Sequence, residues 1–145
     1  MVNKILLAVD GSENSMRAAR HTAALMKKNP GLKVTILYVR SPVENLLKFS
    51  PWVQPQIIES ETKKIAENII ERAKSVFTGE GFYVETDVVM GDAGEAIVKY
   101  AEEGKFGQII MGTRGLSDLS GIILGSVSHQ VLHLAKPDCP IMLVK

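Results

Sequence analysis

Between Met111 and Ser128 three of the four glycines stand at a set interval: Gly112 and Gly115 enclose two residues, nine more follow, Gly121 among them, and Gly125 then precedes Ser126. Glycine has no Cβ, so it takes positive φ readily and lets a ligand approach the backbone closely. A Gly-Ser pair opening a helix places backbone amides and a hydroxyl where anions are favoured. The chemistry on offer is therefore a phosphate cradle. The plainer reading is that these glycines only make turns and that Ser126 only caps a helix. Neither GxxxxGK[ST] nor GxGxxG occurs in the chain, which argues against a P-loop or a standard dinucleotide fingerprint.

Two other residues bear on such a site. Arg114, inside the glycine loop, can pair with a phosphate through its fork of donors or stand as a solvated surface arginine. Asp10 ends an apolar run and precedes Gly11-Ser12; it can face a ligand or simply form the turn. Nothing in the chain assembles a dedicated catalytic set. A hydrolase acting on ATP needs a placed water, a positioning base and charge neutralisation at the γ-phosphate. No GxSxG elbow is present, so esterase chemistry is not expected. His129 and His133 are spaced i, i+4, but with no HExxH pattern or third ligand nearby they read as surface residues.

Elements that would position these residues follow from the apolar pattern. Ile5 to Val9 is an unbroken branched-rich run, as a strand covered on both faces requires. Met16, Ala19, Ala23 and Met26 then recur at helical spacing until Asn29-Pro30-Gly31. Lys33 to Val39 reads as a second strand. Residues 41–56, with Pro42, Pro51, Pro55 and Trp52, read as a long connection, with Trp52 packing rather than recognising a ligand. Ile58, Ile65, Ile69, Ala73 and Val76 mark a long helix. Tyr83 to Val89 gives a third strand, and a helix follows carrying Ala96, Ile97, Tyr100 and Ala101. Gly107 to Met111 and Ile141 to Val144 give the last two strands, separated by a helix from Ser126 to Ala135. Strands alternating with helices imply parallel pairing, and hence a three-layer doubly wound α/β fold in a single domain over residues 1–145. In such sheets ligands bind beyond the carboxyl ends of the strands, where the strand order reverses.

Composition narrows the partners. The 145 residues carry a formal net charge of +1, without the positive field that favours nucleic acids or membrane surfaces. Eight aromatics are scattered through the chain and form no stacking platform. The N-terminal apolar run is too short for a signal peptide, and no stretch approaches the roughly twenty apolar residues of a membrane span. The lone Cys139 forms no intrachain disulfide, which fits a reducing, cytoplasmic setting.

Taken together, these residues resemble the universal stress protein family in its ATP-binding branch, over nearly the whole chain. Ile5 to Ser15 looks like the family's opening strand and acidic turn, and Leu37-Tyr38-Val39 like the end of its second strand. Gly112 to Ser126 fits the motif G-2x-G-9x-G-(S/T) without a gap, and Cys139 to Val144 looks like the closing strand. The resemblance implies a Rossmann-like five-stranded parallel sheet of order 3-2-1-4-5 binding an adenine nucleotide. It implies that Asp10 and Val39 border the adenosine, with Ala8 and Met111 packing nearby. Gly112, Arg114 and Gly115 would line the ribose and phosphate side, and Gly125, Ser126, Val127 and Ser128 would hold the phosphates. The expected ligand is ATP, with AMP or ADP as alternatives and Mg²⁺ or Mn²⁺ held through the phosphates. The expected role is a nucleotide-responsive stress or regulatory module acting on a protein partner the sequence does not identify. In the rival reading, the same pocket serves a slow ATP hydrolase or phosphotransferase. Phosphate contacts are expected to order residues 41–56 and 113–124 by a population shift. The implied strand order puts the apolar strand Ile141 to Val144 at a sheet edge, where pairing with a second copy would satisfy it.

Overall fold

The protein's computed structural model describes residues 3–42, 51–113 and 125–145. In chain order the elements are β1 Lys4–Ala8, α1 Glu13–Lys28, β2 Lys33–Arg40, α2 Pro55–Thr78, β3 Glu85–Met90, α3 Ala93–Glu103, β4 Gln108–Gly112, α4 Ser126–Leu134 and β5 Ile141–Val144. The strands form one parallel sheet of order β3-β2-β1-β4-β5, the doubly wound arrangement expected. β1 is central, pairing with β2 from Lys4↔Lys33 to Ala8↔Leu37 and with β4 from Ile5↔Gln108 to Leu7↔Ile110.

Because successive strand side chains point to opposite faces, the unbroken apolar run of β1 feeds two cores. Ile5, Leu7, Val34 and Ile36 pack with Met16, Ala19, Ala23 and Met26 of α1 and with Ile69, Ile70, Ala73 and Phe77 of α2. Leu6, Ala8, Leu37, Ile109 and Met111 face the other way, onto Ile97, Val98 and Ala101 of α3 and Val131 of α4. Helices thus cover both faces. All four residues expected on the inner face of α1 are buried.

Several sequence expectations shift. The inner stripe of α2 is Ala66, Ile69, Ile70, Ala73 and Phe77, while Ile65 is exposed. Ala66 and Phe77 complete a 3.6-residue period with Ile69, Ile70 and Ala73, and Ile65 falls one position off it. The connection expected over 41–56 ends earlier, since Pro55 and Gln56 already belong to α2; Pro55 fits there because the first helical turn needs no amide from it. Residues 43–50 lie outside the described residues. Trp52 is 81% exposed, so it is no core residue. β3 begins at Glu85 rather than Tyr83 and is largely exposed, as an edge strand is. Cys139 is only partly buried; its Sγ donates to the Phe106 carbonyl at 3.6 Å. No helix among the described residues is long and apolar enough to cross a membrane.

Candidate functional site

The sheet order reverses between β1 and β4, and parallel sheets open a crevice beyond the strand ends at that point. A cleft lies there. It is lined by Ala8, Asp10, Val39, Met111, Gly112, Gly125, Ser126, Val127 and Ser128, all singled out from the sequence. Arg114 and Gly115 lie outside the described residues, as does most of the segment 113–124. Ser12, in the turn after Asp10, lines the cleft as well; Val9, Ser15, Leu37, Ala93 and Ile97 also line it but were missed. They are core strand and helix positions whose side chains carry no chemical signal of their own.

The floor is apolar: Ala8 and Met111 are buried, and Leu37 and Ile97 close it from β2 and α3. Val39 reaches the cleft from the end of β2, which is held to α2 by Arg40. The Arg40 guanidinium meets the Glu59 carboxylate at 2.6 Å and the Thr62 hydroxyl at 3.1 Å. The enclosed space is about 90 Å³, below the few hundred Å³ of a typical small-molecule site. It is a slot that takes a ring edge or a phosphate, with the rest of a larger ligand outside.

Along the slot the β1–α1 turn is satisfied by its own side chains. Asp10 Oδ1 accepts from the Ser12 amide at 2.9 Å, Ser12 Oγ accepts from the Ser15 amide at 3.1 Å, and Ser15 Oγ donates to the Ser12 carbonyl at 2.9 Å. Gly11 sits at φ +86°, a left-handed conformation that glycine adopts without strain. Asp10 is thus a turn former through one oxygen, and it also supplies the carboxylate among the lining residues. Its charge reaches Tyr38, whose hydroxyl pKa is raised chiefly by burial and then by Asp10.

The start of α4 differs. Its N-cap is Gly125, and among the described residues no side chain caps it. Within the helix the His129 amide bonds to the Gly125 carbonyl at 2.9 Å, so the amides of Ser126, Val127 and Ser128 precede the regular ladder. All three residues line the slot. An uncapped helix start carries roughly half a positive charge. The arrangement brings together an apolar floor, an acidic turn and an anion-favouring helix start.

Two residues do something the sequence did not reveal. A Cβ on Gly112 would lie 2.9 Å from both the backbone carbon and the Cβ of Asn14 and 3.0 Å from the Ser15 amide nitrogen. This glycine is therefore required for α1 to cross the end of β4, whatever binds nearby. Ser128 is 3% exposed, and its hydroxyl donates to the Gly112 carbonyl at 2.8 Å and the Thr113 carbonyl at 3.1 Å. Among the described residues no group of three or more His, Cys, Asp or Glu is placed to hold a metal. His129 and His133 are exposed on α4.

Comparison with known proteins fits this geometry. The model of the universal stress protein family matches residues 1–145. Universal stress protein YxiE of Bacillus subtilis is 33% identical over 151 residues, with all of both chains covered. Universal stress protein MJ0577 of Methanocaldococcus jannaschii is 31% identical. Its solved structure superimposes with a TM-score of 0.82, covering 100% of this chain and 96% of that one. The universal stress protein of Archaeoglobus fulgidus, solved in complex with dAMP, shares the fold at 21% identity and a TM-score of 0.67, covering 100% and 98%. The chain belongs to the universal stress protein family.

Proposed function

We propose that the slot binds an adenine nucleotide, ATP with a divalent cation in the first instance. The observation that carries this reading is the uncapped start of α4, with Ser126, Val127 and Ser128 facing a slot whose floor is apolar. The base edge lies on Ala8, Val39 and Met111, and the phosphates extend to the first amides of α4. The complex of the Archaeoglobus relative with dAMP supports the ligand class. A Mg²⁺ or Mn²⁺ ion is held mainly by the phosphates, as hard cations with few protein ligands commonly are, and Asp10 supplies a carboxylate within reach of the slot. Arg114 and Gly115, outside the described residues, are assigned to the phosphate side by the family resemblance alone. The bound state acts as a regulatory signal to a protein partner.

The test is to denature freshly purified protein, identify the released small molecules by anion exchange and mass spectrometry, and titrate ATP, ADP and AMP with Mg²⁺ by calorimetry. Near-stoichiometric ATP, or binding on titration, supports the reading. The absence of both release and binding rejects it. Asp10 also favours a second reading, slow hydrolysis. Multiple-turnover phosphate release that Asp10→Ala depresses would support that reading, and stably bound ATP would reject it.

We further propose a homodimer through β5. The two sheet edges differ in protection. On β3 the Val88 amide is occupied by Asp87 Oδ1 at 2.9 Å, and Glu85 and Asp87 add charge. β5 is Ile141-Met142-Leu143-Val144, entirely apolar and half-buried. The carbonyls of Pro140 and Val144 bond to β4, so by alternation Ile141 and Leu143 turn their backbone groups outward. Leu143→Pro removes one outward amide while leaving the β4 ladder intact. Sedimentation should give a dimer for the parent protein and a monomer for Leu143→Pro; a monomeric parent rejects the proposal.

A further inference from the structure

We infer that Ser128 is a positioning residue: its hydroxyl clamps the start of α4 to the end of β4, so that the backbone amides, and not this hydroxyl, meet the phosphate. The inference rests on the nucleotide reading and deepens it. A serine hydroxyl has one proton. Here that proton is shared between the carbonyls of Gly112 and Thr113, at 2.8 and 3.1 Å, in a residue that is 3% exposed. It has no second proton to give an anion. The Thr113 carbonyl also accepts the Gly125 amide at 2.7 Å, while the Thr113 amide donates to the Val144 carbonyl at 2.9 Å.

The consequence is geometric. One residue, Thr113, receives at its carbonyl both the N-cap amide and the third-residue side chain of α4, and is tied to β5 through its amide. The helix start is therefore fixed to the sheet at two points spaced almost one turn apart, which sets its rotation as well as its position. Amides fixed in this way are aimed before any ligand arrives, so their ordering is not charged against binding. Removing the hydroxyl leaves the Gly125 bond as a single pivot, and the three amides lose their common aim.

The experiment uses the full chain with Ser128→Ala and Ser128→Thr. Calorimetry reads affinity for ATP with Mg²⁺ and for adenosine, and amide hydrogen exchange is followed in ligand-free protein. Ser128→Ala is expected to weaken ATP by about tenfold, the equivalent of one net hydrogen bond's stabilisation, with adenosine unchanged within about twofold. In the same variant without ligand, the Gly125 amide is expected to exchange about tenfold faster. Ser128→Thr, which keeps the donor, should restore both. If ATP weakens while Gly125 exchange in free protein is unmoved, the hydroxyl contacts the ligand and the inference is overturned. Faster exchange with unchanged ATP affinity also overturns it, because the clamp is then only structural. Failure of the parent protein to bind any nucleotide sinks the underlying reading, and this inference with it. Should Ser128→Ala not fold, Ser128→Cys, a weaker donor of similar size, carries the same measurements.

Discussion

α1 and α4 both begin at the carboxyl end of the sheet and both touch the slot, yet they lie on opposite faces and meet the slot in opposite ways. α1 has closed its own N-terminus: Ser12 caps it, and Asp10 holds the Ser12 amide in turn. α4 begins on Gly125 without a side-chain cap. A capped end gains stability and has fewer amides left for an anion; one that begins on glycine gives up about 0.3 kcal/mol of stability and keeps more of its amides available. The difference separates a helix that only supports the site from one that can hold a charged ligand.

The sharpest way to break the contrast is to make α4 resemble α1. Gly125 sits at φ −69°, ψ 160°, which any L-residue adopts, so Gly125→Asp supplies a capping carboxylate without backbone strain. Helix stability is expected to rise by only about 0.3 kcal/mol, since glycine is itself a tolerated N-cap. A carboxylate about 4 Å from a phosphate opposes it by a few kcal/mol at a surface-like dielectric, so ATP affinity should fall by about a hundredfold or more. A calorimetric titration paired with a denaturant melt reads both. Raised stability with unchanged ATP affinity would show that the open end of α4 is not where the phosphates sit.

Gly112 and Gly125 belong to one motif, but the structure gives them different duties. Gly112→Val should destabilise the fold by about 1–3 kcal/mol or more, because the atoms its Cβ meets are backbone and Cβ of Asn14 and cannot rotate away. Gly94→Ala is the control. Its Cβ would meet the far end of the Gln130 side chain, which can swing aside, so its loss should stay below about 1 kcal/mol. Equal losses in thermal melts of the two variants would refute the packing role assigned to Gly112.

The reciprocal change at α1 is smaller. Ser12→Ala removes the acceptor for the Ser15 amide, and a lost cap costs about 1 kcal/mol. Its effect on ATP affinity should be far below that of Gly125→Asp. An ATP loss as large as the one at Gly125 would erase the distinction between the two helix starts.

How far the sequence could carry this follows from where each signal resides. The two cores were legible because core-facing positions recur locally, every second residue on β1 and every 3.6 on α1. The α2 stripe slipped by one position since Ile65 is as apolar as Ile69, and only the docked helix shows which of them faces in. The slot was legible through the glycine spacing together with the family resemblance it carries, whereas the duties within it were not. Ser128 finds its partners at Gly112 and Thr113, sixteen and fifteen residues back, and Gly112 is constrained by Asn14 across the sheet. Such pairings are set by tertiary docking and leave no mark in local pattern.

The smallest expected effect concerns the far edge of the sheet, where α3 guards β3 much as Ser12 guards α1. The Tyr100 hydroxyl donates to Asp87 Oδ2 at 2.8 Å, while Asp87 Oδ1 occupies the Val88 amide. Burial, and then the Asp87 bond, push the Tyr100 pKa up to about 12. An unfolded tyrosine titrates near 10. Below that pH both states hold the proton, and the bond's contribution is fully present. Between about pH 10 and 12 the unfolded chain releases a proton that the folded chain keeps, so stability falls as pH rises through this window. Tyr100→Phe should flatten that part of the profile in melts taken from pH 9 to 12, and it should leave the Val88 amide less protected from exchange because Asp87 has lost one anchor. An unchanged alkaline slope in Tyr100→Phe would mean that the guard on β3 rests on Asp87 alone.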